Sequence, residues 1–160
     1  MADKVEIERK FWRALAADRT LMLGLRGQSP AQPMTAQFDE DTKDSTMWFF
    51  TSKDAELTQS LDTNSKAIAY FASKSHDLFA AIEGTLERDG DKAMIDRLWN
   101  SYVDAWFEGG KSDPKLVLLR FAPSHAQVWL NDRSFFAGVK LLIGRDPKEE
   151  YKDKVADLRL

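Results

Sequence analysis

Two hydroxyl side chains, Thr51 and Ser52, follow a short run of large apolar residues, 47–50, and precede a predicted helix start. The helix is predicted over 55–61, with Ser52 or Asp54 as its N-cap. Backbone N–H groups at a helix start, together with hydroxyl donors, are able to bind an anion such as a phosphate. The residues alone leave two interpretations open: a phosphate-binding corner, or a buried strand followed by an ordinary capped helix.

The rest of the sequence carries few groups that catalyse reactions by themselves. It has no cysteine, which excludes disulfides, thiolate metal sites and cysteine nucleophiles. Its two histidines, His76 and His125, are far apart, and a surface or capping role is expected for each, so no metal site is predicted. No P-loop, dinucleotide-binding glycine motif, serine nucleophile motif or zinc-protease motif occurs. If the protein catalyses a reaction, a bound cofactor is expected to supply the chemistry.

Composition predicts one ordinary domain over residues 1–160. The chain is 43% hydrophobic, with a net charge of -3 and no block of like charge, which argues against a nucleic-acid partner. The first ten residues are charged and have no apolar core, so no secretory signal is predicted. No apolar run approaches the length of a membrane helix. A soluble cytoplasmic protein without a membrane partner is expected.

The strand that leads to the two hydroxyls, predicted over 45–53, is apolar on both faces. Met47 and Phe49 are expected to point to one side, and Trp48 and Phe50 to the other. Such a strand must be covered twice, by a core on one face and by a helix, a subunit or a ligand on the other.

The elements around this strand are predicted to be mostly short strands. They are expected over 19–25, 31–41, 65–73, 77–87, 116–121 and 126–130. Helices are predicted over 5–18, 55–61, 91–107 with a break near Asn100 and Ser101, and 146–160 within a partly helical C-terminal extension, 135–160. Gly84 indicates a β-bulge, and Pro123 a corner between the last two strands. The predicted fold class is α+β, mainly β: an antiparallel barrel of six to seven strands with peripheral helices.

Two segments, MWFFTS at 47–52 and AWFEGGKSDPKLVLLRFAPSHAQVW at 105–129, carry a family resemblance. Their order and spacing resemble the pyridoxamine 5′-phosphate oxidase-like, FMN-binding split barrels, most closely the general stress protein branch. The resemblance covers roughly 7–131. It implies a homodimeric antiparallel split β-barrel that binds FMN, or FAD as in some relatives, between two subunits.

Carried onto this sequence, the resemblance implies a cofactor site drawn from several segments. Its residues are Met34, Thr35, Ala36, Phe50, Thr51, Ser52, Lys53, Trp106 and Trp129. The first three would follow the isoalloxazine edge, the next three would meet the ribityl and phosphate groups, and the two tryptophans would close the pocket. Lys53 is the nearest cation to the expected phosphate.

The sequence departs from the oxidase pattern where cations are expected. Gln32 and Gln37 stand at the aligned basic positions, and Leu57 stands where the stress-protein branch commonly has a lysine. Of the arginines that read the substrate phosphate, Arg133 is the sole remnant. A true pyridoxamine phosphate oxidase is therefore not expected, and no catalytic residue is assigned.

Three functions remain open at this point. The first is a flavin-dependent oxidoreductase of unknown substrate, the second a flavin-sequestering protein without turnover, and the third a cofactor-free dimeric interaction module. The homodimer also has a physical motive, because several strands are apolar on both faces and the predicted helices cannot cover them all. These strand segments are 21–25, 47–50, 68–72 and 116–121.

Overall fold

Seven antiparallel strands dominate the computed structural model, which describes residues 3–28, 30–42, 44–63, 65–131 and 155–160. The strands are β1 (Thr20–Leu25), β2 (Gln32–Thr35), β3 (Met47–Ser52), β4 (Ser65–Ala72), β5 (Leu78–Asp89), β6 (Leu116–Leu130) and β7 (Val155–Arg159). The helices are α1 (Lys4–Asp18), α2 (Glu56–Gln59), α3 (Lys92–Leu98) and α4 (Ser101–Asp104), with a 3-10 turn at Gly110–Ser112. None of these helices has the length and apolar character needed to cross a membrane.

The sheet closes on itself through its first and last strands. Its order is β2-β1-β4-β5-β6-β3, and β7 is added beside β6. A β-bridge between Gln37 and Trp48 links the chain after β2 to β3. Since β6 pairs with β5 along one side, and with β3 and then β7 along the other, the barrel is split at that strand. The predicted α+β, mainly β split barrel is confirmed.

The main core lies inside the barrel and under α1. The helix contributes Ile7, Phe11 and Leu15, the apolar stripe that the sequence predicts. Asp3 caps its start by accepting the Val5 N–H at 3.0 Å. The helix therefore covers one end of the sheet with its apolar side and leaves the charged side exposed.

Strand β3 is covered on both faces, as predicted. Met47 and Phe49 are fully buried in the main core. Trp48 points the other way and packs with Leu98 and Leu118 in a second cluster. The second cover is thus helix α3, which is positioned by this apolar contact.

The predicted corner at Pro123 is wrong, because 116–121 and 126–130 belong to one continuous strand, β6. The neighbouring strand β5 accommodates the proline by a shift of register between Glu83 and Gly84, which confirms the predicted bulge. A Cβ on Gly84 would lie 2.8 Å from the Pro123 Cα, so only glycine allows this close approach.

The predicted terminal helix is also wrong where it can be compared, since Val155–Arg159 is strand β7. Ala156 and Leu158 are buried while Asp157 and Arg159 are exposed, which is the alternation of a strand. Pairing with β6 outweighs the helical spacing of the apolar residues. The rest of the predicted helix and of the C-terminal extension, up to residue 154, lies outside the described residues.

Candidate functional site

A cleft of about 550 Å³ opens between the β2–β3 side of the barrel and helix α4. The residues that line it come from β1, β2, β3 and the α4 region: Thr20, Pro33, Met34, Thr35, Gln37, Phe50, Thr51, Ser52, Tyr102, Val103, Trp106 and Phe107. Hydroxyl and amide groups are therefore mixed with large aromatic rings in one concave surface.

The strand wall of the cleft depends on the sheet register. Thr20 lies directly opposite Thr35, and the Gln37–Trp48 bridge places the end of β2 beside β3. Phe50 is only partly buried, whereas its neighbour Phe49 points into the core. The alternation of β3 thus presents Phe50 and Ser52 to the cleft.

The opposite wall is formed by α4 and the chain that follows it. Val103 is buried and holds this segment on the barrel, while Tyr102 and Trp106 are 54% and 71% exposed. The Tyr102 and Trp106 rings meet edge-on with centroids 6.4 Å apart. The Tyr102 hydroxyl lies within 3.4 Å of the Thr35 hydroxyl at one end of the cleft. Two large aromatic surfaces are thereby left open at the mouth of the cleft.

An ion pair fixes helix α3, and with it this wall, to the chain between β2 and β3. Arg97 binds the buried carboxylate of Asp39 and lies 3.4 Å from Asp41. Burial acts to raise the pKa of Asp39, but the hydrogen bond and charge of Arg97, with the Asp41 N–H, outweigh it and lower the pKa below its ordinary value. Asn100 adds a second link by donating to the Gln37 side-chain oxygen at 3.2 Å.

The start of α4 and the loop after it are fixed by local hydrogen bonds. Asn100 accepts the Val103 N–H at 3.0 Å and so caps α4. Farther along, Asp113 accepts the N–H groups of Lys115 at 2.9 Å and Gly109 at 3.1 Å. These two bonds lower the pKa of the Asp113 carboxyl. The segment that carries the aromatic wall is therefore held at both ends.

The structure brings most of the predicted cofactor residues together. Those that line the cleft are Met34, Thr35, Phe50, Thr51, Ser52 and Trp106. Ala36 does not line it, because its side chain is buried in the main core. Lys53 is exposed beside the cleft, and its backbone N–H donates to the Lys115 carbonyl at 2.8 Å. Trp129 lies away from the cleft on β6, opposite Phe79 and Val155.

The other lining residues were not among the predicted cofactor residues, although Gln37 stands at an aligned position without the expected cation. They are Thr20, Pro33, Gln37, Tyr102, Val103 and Phe107. The spacing of Tyr102 and Trp106 was an available signal, since residues four apart share a helix face. The sequence holds no such signal for Thr20, which reaches the cleft only because β1 pairs with β2.

The corner at Thr51 and Ser52 differs from its prediction. The N-cap of α2 is Ala55, which makes no side-chain cap bond, and the Ser52 hydroxyl instead accepts the Asp54 N–H at 3.2 Å. With only four residues, α2 has no substantial helix dipole to offer an anion. Leu57 is 1% exposed and packs in the main core, so the position expected to carry a cation does not face the cleft.

Comparison with known proteins identifies close relatives over most of the chain. The sequence profile described as pyridoxamine 5′-phosphate oxidase like matches residues 6–151. A general stress family protein from Xanthomonas campestris pv. campestris is 55% identical, with 90% of this chain and 100% of that chain covered and a TM-score of 0.78. A general stress FMN/FAD binding protein from Xanthomonas citri is 54% identical, with 88% and 100% covered and a TM-score of 0.77. No curated protein sequence matches the chain.

Proposed function

The chain belongs to the pyridoxamine 5′-phosphate oxidase-like family, and we propose that it is a flavin-binding general stress protein. The cofactor is FMN, with FAD as the alternative, and it occupies the cleft between β3 and α4. The observation that carries the proposal is the lining of this cleft, which places aromatic rings opposite two strand-end hydroxyls. The Xanthomonas citri relative, described as binding FMN or FAD, supports the same assignment.

The residues present fit the flavin ring system. A volume of about 550 Å³ lies within the range of cofactor pockets. Phe50 and Trp106 offer aromatic surfaces for a planar heterocycle, and Trp106 is otherwise exposed to solvent. Met34 and Thr35 supply the edge of the strand wall. These residues hold and orient the ring and keep water from it.

The part of the cleft proposed to bind the flavin phosphate fits its ligand less completely than the ring site does. Thr51 and Ser52 offer hydroxyls, but none of the described residues that line the cleft is a lysine or arginine. Lys53 is the adjacent cation. A charge-assisted hydrogen bond contributes about 1.5–3 kcal/mol, so its absence weakens binding by about one to two decades. We expect weaker FMN binding than in a site with a converging cation.

A homodimer that shares the cleft is part of the proposal. Met22 and Tyr70 lie opposite each other on the outer face of the barrel, and Phe79 lies opposite Trp129 on the same face. Tyr70 is 49% exposed, so this face is apolar and open in one copy of the chain. Pro33, which lines the cleft, lies directly opposite Met22, so the apolar face continues to the cleft. Pairing through this face would bring the second copy, with its own Trp129, beside the cofactor.

The proposed activity is a flavin-dependent oxidation or reduction of an unidentified substrate in the cytoplasm. Bound flavin supplies reversible transfer of one or two electrons, which this chain's own side chains cannot perform. Pyridoxamine 5′-phosphate is not the proposed substrate, because its phosphate requires converging cations and the described residues of the cleft include no lysine or arginine. Kinetics distinguish this activity from a flavin-sequestering role without turnover. Reduction of the bound flavin by NAD(P)H, followed by its reoxidation, is expected of the oxidoreductase and not of the sequestering protein.

Equilibrium titration tests the cofactor assignment. Flavin fluorescence is followed as apoprotein is added to FMN and, separately, to FAD, and saturable binding is expected. Trp106→Ala is expected to weaken flavin binding by about tenfold, because an aromatic stacking partner contributes about 0.5–1.5 kcal/mol in addition to the free energy of burying its surface. Val5→Ala is the matched control, since Val5 is similarly exposed, at 60%, but lies on α1. No saturable change up to about millimolar flavin contradicts the proposal.

Sedimentation at micromolar concentration tests the dimer. A species of twice the chain mass of 18.2 kDa is expected. Tyr70→Glu places a charge in the outer face and shifts the protein toward the monomer. A wild-type monomer that stays unchanged with flavin rules out both the dimer and the shared cleft.

A further inference from the structure

A second cavity, of about 480 Å³, adjoins the cleft. The two share a wall that consists of Thr20, Thr35, Gln37 and Tyr102. Thr51 and Ser52 line the cleft only, so the second cavity lies beyond the Thr35 end of the strand wall. The contact of 3.4 Å between the Thr35 and Tyr102 hydroxyls lies on the boundary between the two spaces.

The second cavity differs from the cleft in its chemistry. Beyond the shared wall it is lined by Ala17, Asp18, Arg19, Asn100 and Ser101, and Ala17 alone among these is apolar. The cleft, in contrast, adds Pro33, Met34, Phe50, Val103, Trp106 and Phe107 to its polar groups. A planar, mostly apolar ligand suits the cleft, whereas a small polar molecule suits the cavity beside it.

Arg19 gives this cavity a positively charged group. It ends α1 in a left-handed conformation, φ 59°, with its N–H bonded to the Leu15 carbonyl at 2.8 Å. Its Nε donates to the Ala16 carbonyl at 3.3 Å, which ties the guanidinium to the end of the helix. Within the part of the chain that the structure describes, no carboxylate forms an ion pair with Arg19, while neighbouring Asp18 is paired with Lys74 at 3.9 Å.

We propose that this cavity is the subsite for the second substrate of the flavin cleft, and that it takes a small polar molecule with a carboxylate or phosphate group bound by Arg19. The inference rests on the proposed function, because a redox partner has to reach the flavin and this cavity shares a wall with the cleft. Arg19 binds the anionic group by charge-assisted hydrogen bonds. The hydroxyls of Thr35 and Tyr102, on the boundary, contact the part of the substrate that points toward the cofactor.

Inorganic phosphate is the probe for this site. Backbone amide signals are followed by NMR while phosphate is added at constant ionic strength, once to flavin-free protein and once to FMN-saturated protein. Saturable shifts are expected at Arg19, Thr20 and Ser101 in both titrations. Arg19→Gln weakens the binding about five- to tenfold, since a solvent-screened charge is lost while a shorter, polar side chain remains. Arg26→Gln is the control, because Arg26 is an exposed arginine paired with Glu83 at 3.8 Å, away from this cavity.

Several outcomes overturn the inference. Shifts at Thr51 and Ser52 in place of Arg19 assign the anion to the other end of the cleft. In another outcome, the phosphate-induced shifts at Arg19 disappear when the protein is saturated with FMN but persist when it is saturated with phosphate-free lumiflavin. That result means that the flavin's own phosphate occupies the cavity. No saturable shift up to about 50 mM phosphate removes the site altogether. If FMN does not bind at all, the cavity is not a substrate subsite of a flavin cleft. Phosphate-induced shifts in the flavin-free protein would in that case show that the cavity is an anion site without a flavin partner.

Discussion

The substitution Leu57→Lys has opposite expected effects according to the family resemblance and according to the structure. The resemblance aligns this position with a phosphate-binding lysine, so the substitution would restore a cation to the flavin site. In the structure the Leu57 side chain is 1% exposed and packs in the main core. A lysine there removes buried apolar contacts and brings an amine into the core, so we expect lower stability and no gain in flavin affinity.

The magnitude follows from the cost of an uncharged lysine. Deprotonating it at pH 7, below an ordinary pKa of about 10.4, costs about 4.6 kcal/mol at about 1.36 kcal/mol per pH unit. Bending of the long side chain toward water reduces this cost and the lost apolar contacts add to it, so a loss of about 3–5 kcal/mol is expected. For a chain of this size that corresponds to a fall of about 6–20 °C in Tm. Because the unfolded state binds the extra proton more readily than the folded state, the variant regains stability as pH rises toward 10.

Thermal and urea unfolding of wild type, Leu57→Lys and Leu57→Met measure the effect. The methionine variant is the matched control, because it conserves volume and polarity and costs less than about 1.5 kcal/mol. FMN titration of each variant is carried out at a temperature where it is folded. An unchanged unfolding midpoint for Leu57→Lys, together with tighter FMN binding, refutes the placement of Leu57 in the core.

The remaining predictions concern packing, acid stability and substrate. Gly84→Ala brings a methyl group against the Ala122 carbonyl oxygen and to 2.8 Å from the Pro123 Cα, so urea unfolding shows a loss of about 1–3 kcal/mol, while Gly90→Ala, with nothing within 4 Å, changes it by less than about 0.5 kcal/mol. Folding lowers the pKa of Asp39 and of Asp113 below the ordinary value of 3.8, so both carboxylates stabilise the folded state above that pH and lose this contribution as the pH falls below it. In acid unfolding curves, a variant with Asn at both positions therefore loses less stability with falling pH than the wild type does. Neither pyridoxamine nor pyridoxine 5′-phosphate is oxidised, and steady turnover of either contradicts the cleft as described.

The β3 part of the strand wall was predictable because its residues are adjacent in sequence. The run that ends in Phe50, Thr51 and Ser52 has a definite alternation, and alternation decides which side chains leave the core. Met34 and Thr35 were placed by resemblance alone. Ala36 was placed in the site for the same reason, but its side chain is buried in the main core, so its assignment to the lining was not supported.

Other features depend on pairing between distant segments. Pro123 signals a corner when read alone, but the bulge at Gly84 on the neighbouring strand lets β6 continue through it. Residues 155–159 fit a helical spacing and a strand alternation equally well, and only the hydrogen bonds to β6 decide between them. Short apolar segments carry too little information to settle their own conformation.

The sequence by itself determined the mainly β class, the apolar strand covered on both faces, and the absence of cysteine chemistry, because these depend on composition and local alternation. Only the tertiary structure decided that Tyr102 reaches Thr35, that Thr20 joins the cleft and that Leu57 leaves it. The physical reason is the same in each case. A side chain's neighbours across a sheet or under a helix are set by register and packing, and these follow from the free energy of the whole fold rather than from any one segment.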